Sequence, residues 1–200
     1  MMCPGFDVGA LALLCLPKFC QDQNTFSWCP YDETIKLEME VLERVHIDLW
    51  GRAHVHSVGG TYYMMLFTDG CSSYRKDFYL SEKFENATLD AIKQYHVEAE
   101  QQTGRRLRRF RFDMGKEFVN KGVQDYCKEH GILIEFTTPY AHSSHGVAEC
   151  SNHTTIKGTR CSLSDSDLPL SLWADAASTQ VYIQNLIPSS RHPGQIPAEC

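Results

Sequence analysis

The sequence predicts an α/β fold, a mixed five-stranded sheet flanked by helices. Three observations carry this reading. Residues 45–80 hold three strand-like segments separated by glycine-containing turns. Residues 85–136 then alternate helix, strand, helix and strand. Two further helical stretches follow a segment rich in Pro, Ser and Gly.

Taken in order, Val45, Ile47 and Leu49 alternate with His46, Asp48 and Trp50, the period of a strand, and Gly51 ends it. After Gly59-Gly60, Thr61 to Thr68 is almost continuously apolar or aromatic, which suits a strand covered on both faces. Asp69-Gly70 marks a turn before a third strand over Tyr74 to Leu80. Leu89, Ile92, His96 and Ala99 then fall on one helical face, with Gly104 as the stop. From Leu107 to Asp113, Phe110 and Phe112 share one face and Arg109, Arg111 and Asp113 the other. Glu117 to His130 reads as a helix with Val119, Val123, Tyr126 and Cys127 inward, and Ile132 to Phe136 as a short strand. A loop over Thr137 to Gly146 leads into a helix from Val147 to about Leu163. Another runs from Pro169 to Leu186, with the proline in its first turn. A right-handed crossover through 85–103 can set the fourth strand beside the first.

The composition excludes global disorder and leaves enough apolar residues for a core. Nine cysteines at irregular spacing predict reduced thiols, and with them a nuclear or cytoplasmic protein. Val8 to Leu16 is too short to cross a bilayer, so no membrane partner is expected. The net charge is −6, of which residues 1–44 contribute −4. The remaining near-neutral stretch is compatible with DNA contact without arguing for it. Residues 1–40, broken by Pro4, Pro17 and Pro30, read as a poorly structured tail or the degenerate remnant of a module, and residues 41–200 as the folded domain.

Three carboxylates stand out. Asp48 lies on the first strand, Asp113 ends the fourth, and Glu149 opens the following helix, with thirty-five residues between the last two. If the first and fourth strands are neighbours, the helix can bring Glu149 over both aspartates. Such a cluster repels itself unless cations neutralise it, and hard oxygen ligands suit Mg²⁺. Two ions could activate an attacking oxygen and stabilise a leaving one. The spacing alone is weak, and any single member could be an ordinary solvated or capping carboxylate.

The surrounding segments are more specific. They are "HIDLWG" around Asp48, "FTDGCSSY" at 67–74, "RFDMGKEF" around Asp113, "GILIEFTTPYAHSSHGVAE" ending at Glu149, and "LPLSLWADAASTQVYIQNLIPS" at 168–189. In these, residues 41–200 resemble the integrase catalytic core of copia-type LTR retrotransposons, a DDE-type domain with a ribonuclease-H-like fold. The resemblance implies metal-dependent polynucleotidyl transfer, with 3′-end processing and then strand transfer into target DNA. Asp48, Asp113 and Glu149 would be catalytic and would hold two Mg²⁺ or Mn²⁺ ions. Element ends and target DNA would be partners, and an active protein would be a homo-oligomer. The loop 137–146 and the helix after it would touch DNA. Asn152, His153 and Arg160 lie on Glu149's side of that helix, at i+3, i+4 and i+11, as candidate nucleic-acid contacts.

The chain also departs from the pattern. The His-His-Cys-Cys zinc finger that such integrases carry would fall in residues 1–40. Cys15 and Cys20 are too far apart there and no histidine precedes His46, so no structural zinc is expected. Where the family has one Asn and two Arg around the glutamate, this chain has His145, Cys150 and His153, and Arg52 replaces a usual proline. Loss of two arginines should weaken DNA positioning. The alternative is a catalytically inactive integrase-like relic that still binds nucleic acid. Three other features have two readings each. His46 could adjust the metal site's protonation or be a neutral hydrogen-bonded histidine, and Asp69 reads as a turn residue rather than a fourth ligand. Arg105, Arg106, Arg108, Arg109 and Arg111 could bind phosphates or, the reading preferred, form a solvated strand entrance split between two faces.

Overall fold

The computed structural model describes residues 40–82, 85–112, 120–136, 146–188 and 194–200, without the side chains of residues 85 and 146–150. The expected tail and the absence of a zinc site in residues 1–40 therefore fall almost wholly outside the described residues, as does the loop 137–145. The chain runs β1 (Val45–Trp50), β2 (Tyr63–Asp69), β3 (Arg75–Leu80), α1 (Glu85–Thr103), β4 (Arg109–Phe112), α2 (Lys121–His130), β5 (Leu133–Phe136), α3 (Gly146–Ser166) and α4 (Trp173–Leu186). The sheet order is β3-β2-β1-β4-β5. β1 to β3 form an antiparallel meander, and β1–β4 and β4–β5 pair in parallel. The expected neighbourhood of the first and fourth strands is observed.

Alternation along the strands divides the domain into two layers. One face buries Val45, Ile47, Met65, Phe67, Phe110 and Phe112 against Ile92, Tyr95 and Ala99 of α1 and Val123 and Cys127 of α2. Phe67 is fully buried at its centre, stacked on Tyr95 with ring centroids 4.3 Å apart. The opposite face is covered over β1 to β3 by α3 and α4. There Ala53, Met64, Ile156, Leu163, Trp173 and Ala177 form a smaller core. Trp50 meets Trp173 with ring centroids 5.4 Å apart.

Two boundaries differ from expectation. The Asn120 side chain accepts a hydrogen bond from the Val123 amide, so α2 begins at Lys121. A side chain that caps in this way gives the helix its start. At the other end Gly131 takes a left-handed φ of 71° and its amide closes on the Cys127 and Lys128 carbonyls. The last helix does not start at Pro169 either. Pro169 precedes a 3₁₀ turn over Leu170–Leu172, and α4 opens at Trp173, whose indole N–H donates to the Val55 carbonyl at 3.1 Å. That bond ties the helix start to the loop between β1 and β2.

Candidate active site

The parallel register of β1 and β4 pairs Val45 with Phe110, His46 with Arg111 and Ile47 with Phe112. Partners in register project to the same side of the sheet. Val45, Ile47, Phe110 and Phe112 are in the main core, so His46, Asp48, Arg109 and Arg111 project from the opposite face. The paired residues end at Ile47 and Phe112, the positions immediately before Asp48 and Asp113. Asp113 itself lies outside the described residues. Glu149 is placed by its backbone in the first turn of α3, and its side chain lies outside them as well.

Asp48 sits on the central strand, half-buried, beneath α3. The Asn152 side-chain amide donates to the Asp48 carboxylate at 2.5 Å. Asn152 is 8% exposed, and among the described residues its side-chain oxygen has no hydrogen-bond partner. A buried acceptor without a donor is costly unless water or a ligand supplies one. α3 is held in place from its other side. Thr155 Oγ1 donates to the Ser151 carbonyl at 2.9 Å and lies 3.0 Å from Gln184 on α4. Gly158 lets Gln180 lie against the helix, since a Cβ there would come within 2.5 Å of the Gln180 side-chain oxygen.

The three nucleic-acid candidates do not share one environment. Asn152 points inward to Asp48, while His153 and Arg160 are exposed. Sequence spacing put Asn152 beside Glu149, three positions on, but named no partner for its side chain. His46 is buried on the same sheet face as Asp48. Asp69 is a turn residue, as expected, and a buried one. Its carboxylate accepts from the amides of Leu42, Cys71 and Ser72 and from the Ser72 hydroxyl.

The arginines also separate. Arg105 and Arg106 are exposed, and Arg108 pairs with Glu40 at 2.7 Å. Arg109 and Arg44 share one carboxylate, Glu135 on β5, each at 3.0 Å. Burial alone would raise the pKa of Glu135, but the hydrogen bond from Arg109 and the charges of both arginines pull it below the ordinary value. The four described cysteines, Cys71, Cys127, Cys161 and Cys200, are free thiols.

A mixed five-stranded sheet in this order, helices on both faces and a carboxylate on the central strand define a ribonuclease-H-like α/β domain. Among solved structures, the simian T-cell lymphotropic virus intasome in complex with PP2A regulatory subunit B56 gamma contains a similar chain. It matches at a TM-score of 0.65 and 17% identity, over 98% of this chain and 66% of that one. A family model described as integrase core domain matches residues 39–142, just over half of the sequence, and the chain belongs to that family. One relative is the retrovirus-related Pol polyprotein from transposon TNT 1-94 of Nicotiana tabacum, 33% identical over 160 residues. Another is the transposon Ty1-NL2 Gag-Pol polyprotein of Saccharomyces cerevisiae, 26% identical over 152 residues. The matches cover 80% and 76% of this chain but only 12% and 9% of those polyproteins. The resemblance to retrotransposon integrase cores is thus borne out. Among the described residues no helix is long and apolar enough to cross a membrane.

Proposed function

We propose that this domain is the catalytic core of a retrotransposon integrase that cuts and joins DNA phosphodiesters by metal-dependent polynucleotidyl transfer. The observation that carries the reading is the contact between Asn152 and Asp48. It fixes α3 over β1, so that the helix bearing Glu149 crosses the strand bearing Asp48, beside the strand that leads into Asp113.

The residues fit a hydrated hard cation. Asp48 supplies carboxylate oxygen, and the buried Asn152 oxygen has no donor among the described residues, so it can accept from an ion-bound water. Asp48, Asp113 and Glu149 would hold two Mg²⁺ or Mn²⁺ ions, whose chemistry is to activate the attacking hydroxyl and stabilise the leaving oxygen. This chain's own contribution is orientation. Asn152 holds one Asp48 oxygen, and the α3–α4 packing holds Asn152. His153 and Arg160, exposed on α3, face the DNA. The domain works in the nucleus after synthesis in the cytoplasm, as a homo-oligomer on element ends and target DNA.

His145, Cys150 and His153 set the level of activity. A thiol and an imidazole stand where two arginines would fork onto phosphate, and a misplacement of about 1 Å can cost on the order of a hundredfold in rate. The test is strand transfer on oligonucleotide ends with Mg²⁺ or Mn²⁺, comparing the chain as given with His145→Asn/Cys150→Arg/His153→Arg. Gain of activity in the triple variant, abolished by adding Asp48→Asn, supports an impaired integrase. Equal activity shows that the three substitutions are harmless. No product from either protein, each folded, leaves the inactive nucleic-acid-binding relic as the better account.

A further inference from the structure

Among the described residues, helices cover only half of the sheet face that carries Asp48. α3 and α4 pack over β1 to β3, and among the described residues neither is packed over β4 and β5. The register assigns what stands on that other half. His46, Arg111 and Glu135 lie in one row across β1, β4 and β5, and Arg109 and Leu133 in the row before it. Arg44, preceding β1, reaches the same group through Glu135. Leu133 is 61% exposed, and the Arg109 and Glu135 side chains are 31% and 30% exposed, so solvent reaches this strip.

We propose that Arg109 and Arg111, with Arg44 behind them, form a phosphate-binding strip that carries the DNA backbone away from the catalytic carboxylates. The inference rests on the integrase reading and names where on this domain its substrate lies. Strand spacing of about 4.8 Å and a rise of about 3.3 Å per residue set the Arg111 and Asp48 Cα atoms roughly 8 Å apart on one face. Arg109 stands one side-chain repeat further, about 6.6 Å along the strand. A phosphodiester seated at Asp48 therefore has its neighbours within reach of two long guanidinium side chains. The donors suit that ligand. A guanidinium offers five N–H groups in a planar fork, and the Arg109 side chain is partly exposed. Glu135 plays the part of a stand-in anion. It holds Arg44 and Arg109 in place until phosphate competes for the same guanidinium groups.

The experiment measures affinity of the full chain for a short labelled DNA duplex by fluorescence anisotropy across a salt series, without divalent metal. Neutralising one phosphate contact contributes a slope of about −0.9 to log K against log salt. Arg109→Gln and Arg111→Gln are each expected to weaken binding and reduce the slope by about 1. Arg109→Lys keeps the slope, because the charge stays. Glu135→Gln tightens binding several-fold, since the competing carboxylate is gone. Binding by the unaltered chain with an unchanged slope in folded Arg109→Gln and Arg111→Gln overturns the strip and leaves the integrase reading standing. An unaltered chain that is folded but does not bind DNA overturns both. Should either glutamine variant fail to fold, Glu135→Gln decides alone: weaker or equal binding refutes the competition on which the strip depends.

Discussion

Removing the Asp69 carboxylate should cost a large part of the domain's stability while leaving the candidate metal site intact. Asp69 is 2% exposed at the end of β2. One oxygen accepts from the Leu42 amide at 2.8 Å. The other accepts from the Ser72 amide at 2.7 Å, the Ser72 hydroxyl at 2.8 Å and the Cys71 amide at 3.1 Å. In Asp69→Ala the hydroxyl can rotate, and the half-buried Cys71 amide can find water. The Leu42 and Ser72 amides cannot, since both residues are buried. Each stranded donor costs about 1–3 kcal/mol, so the substitution should cost about 2–6 kcal/mol. A domain's whole stability is only about 5–15 kcal/mol. In Asp69→Asn the amide oxygen can keep the three partners near Ser72, while the new NH₂ faces the Leu42 N–H, which limits the loss to about 1–3 kcal/mol. Urea unfolding followed by circular dichroism reads both, with the midpoint falling and the slope unchanged. Mn²⁺ binding should be unaffected by Asp69→Asn and reduced by Asp48→Asn. A cost below about 0.5 kcal/mol for Asp69→Ala would refute the hydrogen-bond account. Loss of metal binding in folded Asp69→Asn would show that it is a fourth ligand after all.

Other perturbations follow from single contacts. Glu135 has a folded pKa depressed below its ordinary 4.5, so its contribution is complete above that value and is lost as pH falls through the folded pKa. Acid unfolding of Glu135→Gln should therefore be less steep on that limb, and an identical pH profile would exclude the link. Gly158→Ala gains about 1 kcal/mol of helix propensity. It also forces the Gln180 amide, 2.8 Å from the Ser162 hydroxyl, out of its place. The net effect should be destabilising and reversed in Gly158→Ala/Gln180→Ala; thermal melts that show no such rescue would count against the clash. Burial pushes the Cys127 thiol up to about 11, so at pH 8 roughly a thousandth of it is thiolate. Peptide mapping after iodoacetamide should find the exposed Cys200 alkylated well before Cys127, and equal rates would mean that the α2 packing is wrong.

Strands and layers were legible because they depend on local alternation. Phe110 and Phe112 against Arg109 and Arg111 sorted β4 correctly, and the triplet Val45, Ile47, Leu49 did the same for β1. The helix faces were read well for a similar reason, with Ile92 and Val123 buried where the period puts them. Tyr95, buried and stacked on Phe67, was passed over although it stands three positions after Ile92 and four before Ala99, on the stripe the helical period defines. The start of α4 was misplaced because Pro169 is as compatible with a 3₁₀ turn as with a helix. The hydrogen bond of Asn152 to Asp48 was not legible. Its i+3 relation to Glu149 is a property of one helix, whereas its partner Asp48 is 104 positions away. The sharing of Glu135 by two arginines is likewise a matter of strand order.

That same separation sets an order of events during synthesis. The β1–β2–β3 meander uses contacts from one stretch of about forty residues and can form while the rest of the chain is still being made. Asn152 follows Asp48 by 104 positions, which at 5–20 residues per second is a delay of about 5–20 s. During that interval the chain can carry Asp48 on the meander but lacks the helix that orients it. A nascent or truncated product can therefore have much of the sheet and none of the proposed chemistry. Competence to cut DNA would be among the last properties this domain acquires.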